Sequence, residues 1–219
     1  MTAVADVLRA LDGVRDPELD QSLVELGFVA GMEIDGPAVT VRLRLPTYFC
    51  APNFAFLMVA DARRAVEALP GVGSARIELE DHFTAEEINT AVGRGAGFVD
   101  AFPDHAVEEL DELRTLFRRK ALMARQGRVA AALPVAGLAG LRLGDLGGAD
   151  AERCRALRRE LGLDARPSAP AFVTGAGAPV TAADVPRFLR MARLVSTSLE
   201  GNAGLCRSLI KTRYEEVAA

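Results

Sequence analysis

Two alternating apolar runs flank Asp35-Gly36, and no other stretch restricts the fold of this chain as strongly. In GFVAGMEI (27–34), Phe28, Ala30, Met32 and Ile34 alternate with their neighbours. In VTVRLRL (39–45), Val39, Val41, Leu43 and Leu45 alternate with Thr40, Arg42 and Arg44. Period-two alternation puts one set of side chains on one face, which predicts strands with one buried side. A tight primed turn needs positive φ, so Asp-Gly between the runs predicts a hairpin. ARIELE (75–80) repeats the alternation with Ala75, Ile77 and Leu79. Phe28, Val39, Val41, Leu43, Ile77 and Leu79 should therefore lie inside the sheet, because a register slip of one residue would turn them all outward.

Helical spacing brackets these strands. Val4, Val7, Leu8 and Leu11 share a stripe that ends at Gly13 and Pro17. Met58, Ala62, Ala65, Val66 and Leu69 share another, closed by Pro70-Gly71. The order is α-β-β-α-β, and a strand–helix–strand crossover should be right-handed. After residue 100, Leu110, Leu113, Phe117, Ala121 and Ala124 follow helical spacing, as do residues 150–161 and 181–216, the last span read as two helices. Thr181 with Asp184 has the spacing of an acidic capping box. The expected fold class is α/β of the α+β type. It comprises a small two-layer α-β-β-α-β domain with a three-stranded mixed sheet over residues 1–100, then a mostly helical region over 101–219.

The net charge of −4 argues against a nucleic-acid partner. The triplet Arg118-Arg119-Lys120 lacks interleaved aromatics and reads as a solvated helix face. The first residues lack the basic and apolar regions of a signal peptide, and VAAALPVAGLAGL (129–141) is too short and too broken to span a bilayer. A cytoplasmic protein without membrane contact is expected. Three cysteines, Cys50, Cys154 and Cys206, are far apart and form no CxxC pair, so neither a disulfide framework nor an intrachain zinc site is indicated. Cys154 and Cys206 each fall on an apolar helical stripe and read as packing residues.

Cys50 is different. It stands in LPTYFCAPNF (45–54), just past a strand and just before Pro52, which suits the first position of a helix. Ligands of α/β layers bind beyond the carboxyl ends of strands, and backbone N–H groups at a helix start favour a thiolate over a thiol. A packing cysteine, a nucleophile and a metal ligand all remain open on this ground. A nucleophile needs a base within reach. Neither His82 nor His105 is tied to Cys50 by spacing, and an enzyme is not expected.

RDPELDQSLVELGFV (15–29), the hairpin, LPTYFC (45–50) and LPGVGSARIEL (69–79), taken together and in this order, resemble the PaaD-like and SufT-like iron–sulfur cluster assembly family. The resemblance covers residues 4 to about 90. The sequence departs from the family pattern in three places. Pro46 stands where threonine is usual, with Thr47 adjacent; Cys50-Ala51-Pro52 replaces Cys-Pro; and Phe83 takes the place of an aromatic that is often tryptophan.

The resemblance implies a metallocentre assembly factor or carrier with Cys50 as the metal-facing thiolate. Asp16, Glu18 and Thr47 would lie close by. Asp16 also suits an Asx turn, and Glu18 a solvated surface. The implied cargo is iron or an iron–sulfur cluster. A conventional cluster takes four cysteines, so none should be held stably by one chain, and sharing between two copies of a homodimer or with a client is expected. The partners implied are a protein client, such as an iron-dependent oxygenase, or cluster-assembly proteins. The rival reading is a client-specific chaperone or adaptor, for example for a binuclear-iron monooxygenase, working through the helical region without binding metal.

Overall fold

The computed structural model describes residues 2–106 and 108–214. The chain divides into two compact units, residues 1–111 with 202–219, and residues 112–201. The sequence suggested a single boundary near residue 100. Instead the second unit is inserted, and the chain returns to the first unit after it.

In the first unit the elements run α1 (Val4–Asp12), β1 (Val29–Asp35), β2 (Ala38–Arg44), α2 (Pro52–Glu67), β3 (Ser74–Glu80), α3 (Ala85–Arg94) and α4 (Phe98–Ala101). The sheet is three-stranded and mixed, in the order β1-β2-β3. β1 pairs antiparallel with β2, and β2 pairs parallel with β3 from Ala38↔Ser74 to Arg44↔Glu80. This is the α+β fold expected.

The hairpin tip is Gly36-Pro37, with Asp35 paired to Ala38 and Gly36 at φ 56°. Glycine accepts that positive φ without the strain a Cβ would bring. One face of the sheet is apolar. Phe28, Val39, Val41, Leu43, Ile77 and Leu79 are all buried, as the alternation predicts. α2 and α3 pack against β3, and α1 packs against α2. The other face carries the charged residues of the alternation, with Arg44 paired to Glu80 at 2.8 Å and Arg76 to Glu78 at 2.7 Å.

Ala30 departs from the expected alternation and is exposed. The register shifts between Val29, opposite Leu43, and Gly31, opposite Arg42. A bulge inserts one extra residue there and breaks the two-residue repeat. The helix α3 was not read from the sequence. Its buried residues Ile88, Ala91 and Val92 form a stripe of only three positions in ten, too short a signal to separate from loop.

In the second unit α5 (Asp111–Ala131) begins at the boundary, and α6 (Ala149–Glu160) follows two single-turn helices at Leu138–Gly140 and Leu143–Asp145. α7 (Val185–Tyr214) starts in this unit and continues into the first. One apolar cluster gathers Ala130, Leu138, Leu143, Ala151, Phe172, Val180, Phe188 and Ala192; another gathers Ala121, Leu122, Cys154, Leu157 and Val173. Cys154 is a packing residue here, and burial pushes its thiol up to about 12. Arg158 is also buried, and its guanidinium donates to the carbonyls of Asp164, Pro170 and Ala171. Those bonds tie the connector at 164–171 to α6. Arg118 pairs with Glu160 at 3.0 Å, and Arg119 and Lys120 are exposed, consistent with a solvated face.

The span 181–216 was expected to hold two helices, but its described part carries one, from Val185 to Tyr214. Gly201 and Gly204 lie within it, and a Cβ at either would meet nothing within 4 Å. A helix-interior glycine weakens a helix by about 1 kcal/mol relative to alanine, which is not enough to stop one that is anchored at both ends. Thr181 and Asp184 precede it, the hydroxyl of Thr181 donating to the Asp184 carboxylate rather than to a backbone group. Among the described residues no helix is long and apolar enough to cross a membrane.

Replacing Gly201 and Gly204 together by alanine is expected to stabilise α7 by about 1–2 kcal/mol. Circular dichroism during thermal unfolding should show a raised midpoint. A lowered midpoint would mean that the helix is interrupted at these glycines.

Candidate functional site

The parallel pairing of β2 with β3 ends at Arg44↔Glu80, so residues 45–50 and 81–84 leave the sheet at the same end. Pro52 opens α2 at its first turn, where the missing N–H of proline removes no helical bond. Cys50 is held between the two elements, half-buried. Its Sγ lies 3.3 Å from Thr47 Oγ1. The structure thus brings Thr47 and Cys50 together.

His82 fastens this loop. Its Nδ1 lies 3.3 Å from the Thr84 N–H, which donates to it. That bond leaves the proton on Nε2, which donates to the Cys50 carbonyl at 2.7 Å. Burial, the largest influence, lowers the pKa of His82 and keeps the ring neutral. Both ring nitrogens are engaged, so His82 positions the backbone of Cys50 and does not serve as base to its thiol. Sequence spacing did not reveal this contact; the common end of β2 and β3 is what creates it. His105 is exposed in the turn after α4 and takes no part.

The chain turns sharply into this segment at Asp81, which has φ 53°. Aspartate tolerates the left-handed region better than most residues. Arg213 of α7 donates to the Asp81 carbonyl at 2.9 Å and to the Leu45 carbonyl at 3.2 Å, and the Tyr214 hydroxyl donates to the Asp81 carboxylate at 3.0 Å. Phe83 N–H donates to the Tyr48 carbonyl at 3.1 Å. The rings of Tyr48, Phe49 and Phe83 meet edge-on or tilted with centroids 5.0, 5.8 and 6.3 Å apart, and all three are exposed. An exposed aromatic rim therefore borders Cys50.

The acidic residues belong to the loop between α1 and β1. Asp16 is buried, and its Oδ1 accepts the N–H groups of Glu18 and Leu19, both at 2.9 Å. This is the Asx turn that the sequence allowed. Burial raises the Asp16 carboxyl to about 6, outweighing the two hydrogen bonds that lower it. Glu18 is half-buried beside it. Glu25 shapes the same loop, accepting from Ser22 N–H at 3.0 Å while the Ser22 hydroxyl accepts from Glu25 N–H at 2.9 Å.

Cys206, read from the sequence as a packing residue, does pack on the core of the first unit. It stands on α7, half-buried, against the same apolar cluster as Cys50. Burial, then the negative charges of Asp16, Cys50 and Glu18, push its thiol up to about 11. The only sequence signal was an apolar stripe with Leu209 and Ile210, which carries no information about what the stripe packs on. Among the described residues no group of three or more histidine, cysteine, aspartate or glutamate side chains is arranged to hold a metal ion.

Residues 4–79 match the iron–sulfur cluster assembly protein family. Over 90 residues the chain is 32% identical to an uncharacterized protein of Methanocaldococcus jannaschii, a span of 41% of this chain and 93% of that protein. Over 73 residues it is 41% identical to the iron–sulfur cluster carrier protein of Synechocystis sp. and 38% identical to that of Deinococcus radiodurans, covering 33% of this chain and 20% of either carrier. The chain belongs to the iron–sulfur cluster assembly protein family. It spans about a fifth of the length of the two carriers, and the family match ends before α3.

Asp16→Asn keeps an acceptor for the two N–H groups and removes the charge that burial disfavours. A carboxyl whose folded pKa, about 6, exceeds its unfolded value of 3.8 stabilises the fold below the lower value and loses that contribution as pH rises through the higher one. The wild type should therefore lose stability between pH 4 and 7, by at most about 3 kcal/mol, and Asp16→Asn should lose less. Urea unfolding at pH 5 and pH 8 measures both. An equal decline in the two proteins would remove Asp16 as the cause.

Proposed function

We propose that this protein is an assembly factor or carrier that delivers iron or an iron–sulfur cluster to a client protein, with the Cys50 thiolate as the group that takes the cargo. The observation that carries the reading is the placement of Cys50. In a member of the cluster assembly family, its backbone is pinned by a neutral histidine, while its sulfur contacts only a threonine hydroxyl among the bonds described. A soft thiolate suits iron and iron–sulfur cargo. In this reading Asp16 and Glu18, on the loop between α1 and β1, add the negative charge that favours a cation.

The protein acts without turnover chemistry of its own. A cysteine nucleophile requires a base within hydrogen-bond reach, and the nearby histidine has both nitrogens occupied. A conventional cluster takes four thiolates, so cargo is held transiently, with ligands completed by a second copy of the chain or by the client. An iron-dependent oxygenase is the client class that the resemblance to PaaD-like factors suggests. One observation favours the adaptor reading beside this one: residues 112–201 form a unit with its own apolar clusters, outside the family match.

Cys50→Ser removes the soft ligand at nearly constant volume, and folding should change little. Iron bound after anaerobic reconstitution, and client activation at equal protein levels, should fall sharply, whereas Cys154→Ser should act through stability alone. Full client activation by Cys50→Ser would leave the adaptor reading in its place. Iron and sulfide quantified after gel filtration give the second check, since a four-iron cluster on a single chain contradicts shared ligation.

A further inference from the structure

The last turns of α7 lie against the loops that build the Cys50 site, and each contact fixes their rotation. Ala203 is buried in the apolar cluster of the first unit, and Ile210 Cγ2 lies 3.6 Å from where a Cβ of Gly27 would stand. Arg207 bonds to Gln21, whose carbonyl accepts the Asp16 N–H at 2.9 Å. Arg213 reaches the Leu45 carbonyl at 3.2 Å, five residues before Cys50. Residues 203, 206, 210 and 213 are spaced three and four apart and so share one helical face. Cys206 belongs to that face, bracketed by Ala203 and Ile210, and packs on the cluster that also receives Cys50.

We propose that Cys206 is the second thiol of this site, and that Cys50 and Cys206 together seat one soft metal centre, an iron ion or one edge of an iron–sulfur cluster. The inference rests on the reading of Cys50 as the cargo ligand and extends it to a residue beyond the family match. Two thiolates from one chain leave two of the four ligands of a conventional cluster to a second protein molecule. Binding displaces the thiol protons to solvent as two sulfur–metal bonds form. The C-terminal helix thereby gains a role in the chemistry: it carries a ligand to a site that the α-β-β-α-β domain alone completes only by half.

The test uses the full chain and cadmium(II) as the probe, titrated anaerobically and followed at the thiolate-to-cadmium charge-transfer band. Wild type should show about twice the band intensity per bound ion of Cys206→Ser, which should bind roughly tenfold more weakly or worse. Cys154→Ser should match wild type. If Cys206→Ser matches wild type while Cys50→Ser loses the ion, the second ligand is excluded and the Cys50 reading stands. If Cys50→Ser also matches wild type, the Cys50 reading fails with it. A measurement on the unaltered protein covers the case of a variant that does not fold. Dibromobimane should join Cys50 to Cys206 in one cross-linked peptide pair, and separate alkylation of the two thiols would overturn the proposal.

Discussion

Parallel pairing of β2 with β3 is the constraint on which the site depends. Because both strands run the same way and end at Arg44↔Glu80, the segments that follow them emerge side by side. One carries Cys50 into α2, and the other carries His82 into α3. An antiparallel partner would have sent one of these segments to the opposite end of the sheet, more than twenty ångströms away at about 3.3 Å per residue over seven residues. The 2.7 Å bond from His82 to the Cys50 carbonyl follows from this topology and joins the two segments.

That bond separates two kinds of cysteine chemistry. A histidine beside a cysteine commonly suggests a catalytic pair. Here the ring holds the backbone, accepts from Thr84 N–H through its other nitrogen and is kept neutral by burial. The ring therefore holds the backbone of Cys50 and leaves no nitrogen for its thiol. In the proposed carrier role, the charge of an arriving metal would drive deprotonation of the thiol.

The acidic loop and the end of α7 belong to the same unit as Cys50. Asp16 uses one carboxylate oxygen to hold the turn at Glu18 and Leu19, and the two backbone donors offset its burial only in part. Arg213 and Tyr214 clasp Asp81 and so tie the end of α7 to the turn that presents His82. The first unit is therefore built from both ends of the sequence, with residues 112–201 inserted between them.

Strand alternation, the hairpin glycine, the helix-starting Pro52 and the place of Cys50 between strand and helix were legible in the residues themselves, because each depends on near neighbours in the chain. The core positions Phe28, Val39, Val41, Leu43, Ile77 and Leu79 followed from the same local periodicity. Ala30 did not, since a bulge is a property of two paired strands and not of one. The single helix α7 was hidden by Gly201 and Gly204, whose modest cost is overridden by packing at both ends. The contact of His82 with Cys50 and that of Arg213 with Leu45 span 32 and 168 residues of sequence. Periodicity says that a stripe is buried but not what it is buried against. Only the tertiary structure, by closing those long loops, decided which side chains meet.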